Sequence, residues 1–463
     1  MFKLIAENKH IIWLFVVYTF TFLLSELVIN SHIAALIGAE NLLTFYSVGI
    51  LCTGLGYLSF GLWSIKKEEI KPRKAMLIFC MSLYVIFMAT GLLAPVSNTI
   101  HTVVFALALL LFGYVGGFVH YCASCALQNS PAMGKIIGFS MFVAIVLQYI
   151  VQKVAITEIS LWVAMVFGAI SIGYIVWHPA KDWTFEGLLP YKADSDACPA
   201  KAVVAVAVVA LSTICLGFND SLVTYFDAEG KLVLSEWPRL FYAVGLLIAG
   251  ILADYGKRRF LAIGTALSLL FAFPAVSYLG LSGYMNLSMS FMYFYCGFYV
   301  IYLTVCFLDI APKTKYPALW AGMGRIMRSL FTAITVLPAM WVFKTWGIQC
   351  VQLFTTFAVL GAIVALWLFE KNAARKEMEE LKLELSSKRD DKTNKFQAFI
   401  EEHNFTPREV DVLKIIIKSS ITTKEMANEL AISERVCQRY LTSIYEKTGT
   451  DSRIELMLKY FNE

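Results

Sequence analysis

Along most of this chain the apolar residues come in long unbroken runs rather than in stripes of helical or strand period. Runs long enough to cross about 30 Å of hydrocarbon as helices lie at roughly 10–29, 42–64, 75–94, 101–127, 136–153, 160–178, 201–218, 238–253, 260–280, 288–309, 319–342 and 347–369. A helix that is apolar all round must be buried in protein or lipid, so the pattern predicts a polytopic bundle of about twelve spans. It changes character twice. Residues 370–402 are strongly polar, and beyond them apolar positions return at helical spacing between explicit cap signals. The expected fold is therefore all-α in three parts: a transmembrane domain over 1–369, a helical linker over 370–402 and a small four-helix domain over 403–463.

The last part is marked by one N-terminal device used three times. Thr406-Pro407-Arg408-Glu409, Thr422-Thr423-Lys424-Glu425 and Ser452-Arg453-Ile454-Glu455 carry the spacing of a capping box, in which the hydroxyl and the Glu each satisfy an orphan amide. Ser433 is an N-cap and Gly449 a stop. These signals predict helices at about 407–418, 423–431, 434–447 and 453–461, joined by tight turns in a helix-turn-helix arrangement. On the third helix Cys437, Leu441, Ile444 and Thr448 form a core-facing stripe. Arg435, Gln438, Arg439 and Thr442 fall on its other faces, and such side chains can reach phosphates and base edges in a major groove.

The segments FTPREVDVL, KEMANEL, ISERVCQRYLTSIYEKTG and DSRIEL resemble the DNA-binding domain of LuxR/NarL-type bacterial regulators, from about Phe405 to Tyr460. The resemblance implies that the third helix enters the major groove, with base-reading positions at Gln438, Arg439 and Thr442 and a backbone-contacting position at Lys424. This chain has Val436-Cys437-Gln438 and then Tyr440 where the family usually has Thr-Val-Lys and then His. The turn before Thr422 is also one residue longer than usual and lacks the glycine. Operator preference therefore does not transfer.

Composition places the first part in lipid: 58% of residues are apolar and 16% charged, against about a quarter charged in soluble proteins. The first run is too long for a cleavable signal. With the N-terminus inside, the inner loops carry Lys66, Lys67, Lys71, Arg73, Lys74, Lys135, Lys181, Lys192, Lys257, Arg258, Arg259, Lys313 and Lys315, and the outer loops only Lys153, Lys231, Arg239 and Lys344. The positive-inside rule then puts both termini in the cytoplasm of a bacterial inner membrane, where the terminal domain faces DNA. Residues 403–463 hold nine Lys/Arg and nine Asp/Glu. So balanced a surface neutralises few phosphates, and DNA binding is expected to need a homodimer formed through the linker and the terminal domain.

The spans divide six and six around the polar stretch His178–Lys201. Together with Gly250-Ile-Leu-Ala-Asp254-Tyr-Gly256-Lys257-Arg258-Arg259, this arrangement resembles the major facilitator superfamily, whose two six-helix halves flank a central cavity. The glycines suit close helix approach, Asp254 can pair or cap at an interface, and the basic run pins the loop inside.

Polar residues inside spans are costly and mark candidate sites. Arg325 and Arg328 lie one turn apart on one face, placed to bind an anionic ligand, pair with Asp309 or gate the inner end. Gln148 and Gln152 share a face, Glu26 is placed near the outer end of the first span, and Asn219 and Asp220 at the outer end of the seventh. The candidate small-molecule set is thus Arg325, Arg328, Gln148, Gln152 and Glu26. His120, Cys122 and Cys125 do not converge on a helix, so no metal or other cofactor is expected, and no phosphate loop or nucleophile elbow argues for an enzyme.

In the linker Ala374, Met378, Leu381 and Leu385 recur at heptad-like intervals. A helix to about Ser386 would extend roughly 25 Å past the bilayer, beyond most anionic-lipid repulsion. The reading that joins these parts is a membrane-bound one-component transcription regulator, its partners being promoter DNA, the lipid bilayer and a small molecule. A secondary transporter with an appended regulatory or protein-docking tail is the alternative.

Overall fold

The computed structural model describes residues 6–66, 70–128, 130–155, 157–178, 199–234, 236–279, 283–418 and 421–462. Most of the polar connection 178–201 and the turn at 419–420 lie outside these residues, as do the side chains of Ala374, Met378, Leu381 and Leu385. Every regular element among the described residues is helical. The chain separates into two compact units, Met1–Lys371 and Asn372–Glu463, each with its own apolar core.

The first unit contains α1 (Lys9–Lys66), α2 (Ile70–Leu93), α3 (Asn98–Leu127), α4 (Met133–Val154), α5 (Glu158–Trp177), α6 (Pro199–Ala228), α7 (Arg239–Ala253), α8 (Arg259–Leu269), α9 (Ala272–Leu279), α10 (Met285–Ile310) and most of α11 (Pro317–Glu402). Among the described residues ten helices are long and apolar enough to cross a membrane, which makes this a multi-pass membrane protein. One of the ten, Pro317–Leu368, is 52 residues long and is broken at Gly347, whose φ of 77° only glycine adopts freely. Gly38 breaks α1 in the same way at φ 82°. The Gly38 break already separates two of the ten, so the Gly347 break and the short apolar α7 bring the described segments to the twelve expected.

Two spans outrun the apolar runs that announced them. The first extends over Lys9–Ala39 rather than ending near 29, and the seventh over Ala205–Ala228 rather than ending at 218. Glu26, Asn219 and Asp220 are therefore mid-helix residues and do not sit at the outer ends. The reason is inward orientation: Glu26, Asn30 and Asp220 face a cavity, and Asn219 donates to Tyr295 Oη at 2.8 Å.

Close helix approach holds the bundle where the sequence placed its glycines. A Cβ on Gly138 would lie 2.8 Å from the Gly250 Cα, and one on Gly250 would lie 2.8 Å from the Gly138 Cα, so α4 and α7 touch backbone to backbone. Four residues further on, Asp254 caps α4. Its Oδ1 accepts from Gly134 N at 2.7 Å and its Oδ2 from Lys135 N at 3.0 Å. Arg258 donates through Nη1 to the same Oδ1 at 2.9 Å and, through Nε and Nη2, to both oxygens of Asp309 at 2.5 and 3.2 Å. Asp309 is thus paired with Arg258, and not with Arg325 or Arg328.

The second unit comprises the end of α11, then α12 (Pro407–Lys418), α13 (Thr423–Glu429), α14 (Glu434–Thr448) and α15 (Arg453–Asn462). Its core joins Val412, Leu413 and Ile416 to Met426, Cys437, Leu441, Ile444, Leu456 and Tyr460, and the preceding helix adds Phe399. The capping box at Thr422 is complete in both directions, and Ser433 Oγ caps Val436 N at 3.4 Å. At Ser452 half of the box forms: the hydroxyl takes Glu455 N, while the Glu455 carboxylate accepts from Asp451 N. Gly449 closes α14 at φ 64°.

Candidate functional site

Two places bring functional side chains together, one in each unit. In the second unit the buried stripe Cys437, Leu441, Ile444 and Thr448 fixes the rotation of α14 and so decides what it shows to solvent. Arg435, Gln438, Arg439 and Thr442 are all exposed and line one shallow concavity with Glu434 and Val436. Thr442 Oγ1 donates to Gln438 O at 3.1 Å, and the Arg439 guanidinium lies 5.9 Å from the Tyr440 ring centroid, which leaves the Gln438 amide to act outward. Lys424, second residue of α13, is exposed as well. A donor on one helix able to grip phosphate, and a row of donors on the next able to read base edges, are what a helix-turn-helix needs.

Glu409 holds that arrangement rigid, a role its place in a capping motif did not reveal. Its carboxylate accepts from Thr406 N at 2.7 Å and also crosses to α14, bonding Ser443 Oγ and Lys447 Nζ at 2.6 Å each. Burial opposes its charge, but hydrogen bonds from Lys447, Ser443 and Thr406 win and hold the pKa at about 2. Stability from a carboxylate depressed in the folded state is present above its unfolded pKa, near 4.3, and is lost as pH falls toward 2. Glu409→Gln in residues 372–463 is expected to cost about 2 kcal/mol at neutral pH. The gap between variant and wild type should close as pH drops from about 4.3 to 2, which denaturant unfolding followed by circular dichroism will read.

In the first unit a partly open cavity of about 150 Å³ lies among α1, α4, α6, α7, α10 and α11. Five charged side chains line it: Glu26, Asp220, Arg239, Arg325 and Arg328. Tyr46 Oη donates to Asp220 Oδ2 at 2.5 Å, and Tyr18 and Tyr57 pair through their hydroxyls at 2.7 Å. The Nε atoms of Arg239, Arg325 and Arg328 are enclosed without a hydrogen-bond partner.

Of the residues expected to meet a ligand, Glu26, Arg325 and Arg328 line this cavity, whereas Gln148 and Gln152 do not. Both Gln amides are enclosed on α4 with neither oxygen nor nitrogen hydrogen-bonded. Arg239 was assigned to an outer loop by charge counting. It is instead the first residue of α7, only 7% exposed, and belongs to the cavity. Asp220 joins it because α6 continues past the apolar run. Asp220 is marked in the sequence with Asn219 as a polar residue of the seventh span, whereas Arg239 has no signal beyond being a charge adjoining a hydrophobic segment.

Residues 403–459 match the family described as GerE, bacterial regulatory proteins of the luxR family, so the terminal unit carries a DNA-binding helix-turn-helix of that type. Similar stretches occur in the probable transcriptional regulator ycf29 of Guillardia theta, 37% identical over 59 residues, and in the response regulator Rre1 of Synechocystis sp., 41% identical over 54 residues. These stretches are 13% and 12% of this chain, and the chain spans about a quarter of each relative, 27% and 23%. The membrane unit shares its fold with solved transporters. The human organic anion transporter MFSD10 (TETRAN) aligns over 77% of this chain and 97% of its own at a TM-score of 0.54 and 15% identity. The proton:xylose symporter XylE, of the major facilitator superfamily, aligns over 78% and 96% at 0.53 and 14%. At such identities the likeness is one of fold.

Proposed function

We propose that this protein is a one-component transcription regulator held in the cytoplasmic membrane of a bacterium, with both termini inside. Its membrane unit senses a small molecule, and its terminal unit binds promoter DNA through Lys424, Arg435, Gln438, Arg439 and Thr442. The observation that carries the reading is the presence, on one chain, of an exposed reading face on a luxR-type module and a charged cavity in a membrane bundle.

Dimerisation completes the proposal, because one formally neutral module grips few phosphates. An exposed stripe on α15 supports it: Ile454, Leu458 and Phe461 are exposed at spacings of four and three residues on one face of the last helix. Two copies paired there would each present an α14 to one half-site. Crosslinking of the full-length protein to DNA in cells is expected to enrich a small set of promoters. Leu458→Asp should reduce that enrichment about tenfold or more while leaving the module folded, since it removes the coupling of two half-sites and touches no buried core. Even occupancy across the chromosome would count against sequence reading, and unchanged enrichment in Leu458→Asp would remove this dimer surface.

The fold shared with transporters supports a second reading, a working carrier with a regulatory tail. Flux into vesicles by residues 1–371, together with an unchanged transcript profile in cells lacking the tail, would favour the carrier.

A further inference from the structure

We propose that the cavity of the membrane unit takes a small organic anion: one carboxylate carried on a body about the size of a single aromatic ring. The inference rests on reading this cavity as the sensing site and adds the chemical class that it senses.

Charge gives the sign. Three arginines, Arg239, Arg325 and Arg328, face two carboxylates, Glu26 and Asp220, so the wall carries a surplus of one positive charge with both acids ionised (3 − 2 = 1). Protonating either acid enlarges the surplus. For every protonation state of the acids the wall is cationic, and a monovalent anion is the least charge that improves it. An organic cation would add to the imbalance.

Geometry selects the headgroup. Each of the three Nε donors is enclosed and unbonded, and an unmade hydrogen bond from a buried charged group is expensive. A carboxylate satisfies Nε and a terminal nitrogen of one guanidinium together, in the fork that arginine presents and a point charge does not.

Size and lining select the body. A cavity of about 150 Å³ is roughly the volume that holds one benzene-sized molecule in an apolar protein site. Phe22, Ile50, Tyr57, Leu216, Tyr242 and Met292 supply aromatic and aliphatic wall for a ring to cover. Inorganic phosphate offers the charge but leaves that wall bare.

The test uses the purified full-length protein in lipid nanodiscs and four probes: benzoate, benzamide, benzylamine and inorganic phosphate. Benzoate should raise the thermal unfolding midpoint saturably at millimolar concentrations, and the other three should not. Arg328→Gln should bind benzoate at least about tenfold more weakly, whereas Glu26→Gln, which enlarges the positive surplus, should bind it at least as tightly as wild type. Equal stabilisation by benzamide, a preference for phosphate, no response to benzoate, or weaker binding in Glu26→Gln would each overturn the proposal. Glu26→Gln decides the matter should Arg328→Gln fail to fold. Promoter crosslinking with and without benzoate separates the two layers: binding that leaves promoter occupancy unchanged sinks the sensing reading and spares the anion site. Promoter occupancy that changes with growth conditions, with no benzoate binding, does the reverse.

Discussion

Cells carrying Gln438→Ala together with Arg439→Ala, at membrane protein levels equal to wild type, are expected to lose the regulated transcript set altogether. Both side chains are exposed on α14 and neither contributes to the module core, so the double variant should fold and insert normally. Each well-made base contact is worth about 1–3 kcal/mol of discrimination, so removing two weakens specific binding by roughly 30-fold to about 25,000-fold. A neutral module has little non-specific affinity to fall back on. Transcript profiling reads the effect without knowledge of the ligand. A small set of transcripts that changes in the variant under several growth conditions would establish the output. An unchanged profile would move the reading to a carrier with a docking tail.

The module was legible because helix caps and a core stripe are local signals. Ser433, Thr422 and Gly449 each act within a few residues of themselves, and the four buried positions of α14 follow from a single period. Glu409 was half legible. Its cap to Thr406 is local, but its bonds to Ser443 and Lys447 span more than thirty residues and have no spacing to betray them. The cavity was harder for a reason built into hydropathy itself. A residue that lines an internal site interrupts the apolar run that defines its span, so Glu26 and Asp220 were placed near helix ends and Arg239 in a loop. Arg325 and Arg328 escaped this error because apolar residues continue well beyond them in α11. Gln148 and Gln152 show the converse: sharing a helix face says nothing about which neighbour that face meets.

Arg258→Ala is expected to cost the membrane unit about 3 kcal/mol, seen as a drop of several degrees in the thermal midpoint of the purified protein. Among the described residues Arg258 is the one cation within bonding distance of both Asp254, whose side chain is 2% exposed, and Asp309. Removing it takes from two carboxylates the cation they share, and one of them is too enclosed for water to compensate. The partial exposure of Arg258 and Asp309, 21% and 29%, keeps the figure at the lower end for a broken buried pair. Arg258→Lys should recover only part of the loss, because one ammonium cannot reproduce the fork on Asp309 and also reach Asp254 and the Ala253 carbonyl. The consequence reaches function through which elements are joined. Asp254 ties α7 to the first turn of α4, and Arg258 ties both to the end of α10, so the cluster fastens a helix of the first half to two helices of the second. A ligand can act only through different affinities for different bundle arrangements, and a variant that frees this junction shifts their balance without touching the cavity. Arg258→Ala should therefore alter the baseline of the same transcripts that Gln438→Ala/Arg439→Ala abolishes, while the double variant leaves the thermal midpoint of the bundle unchanged. Loss of stability with an unaltered baseline would mean that the junction fastens the fold and takes no part in the switch.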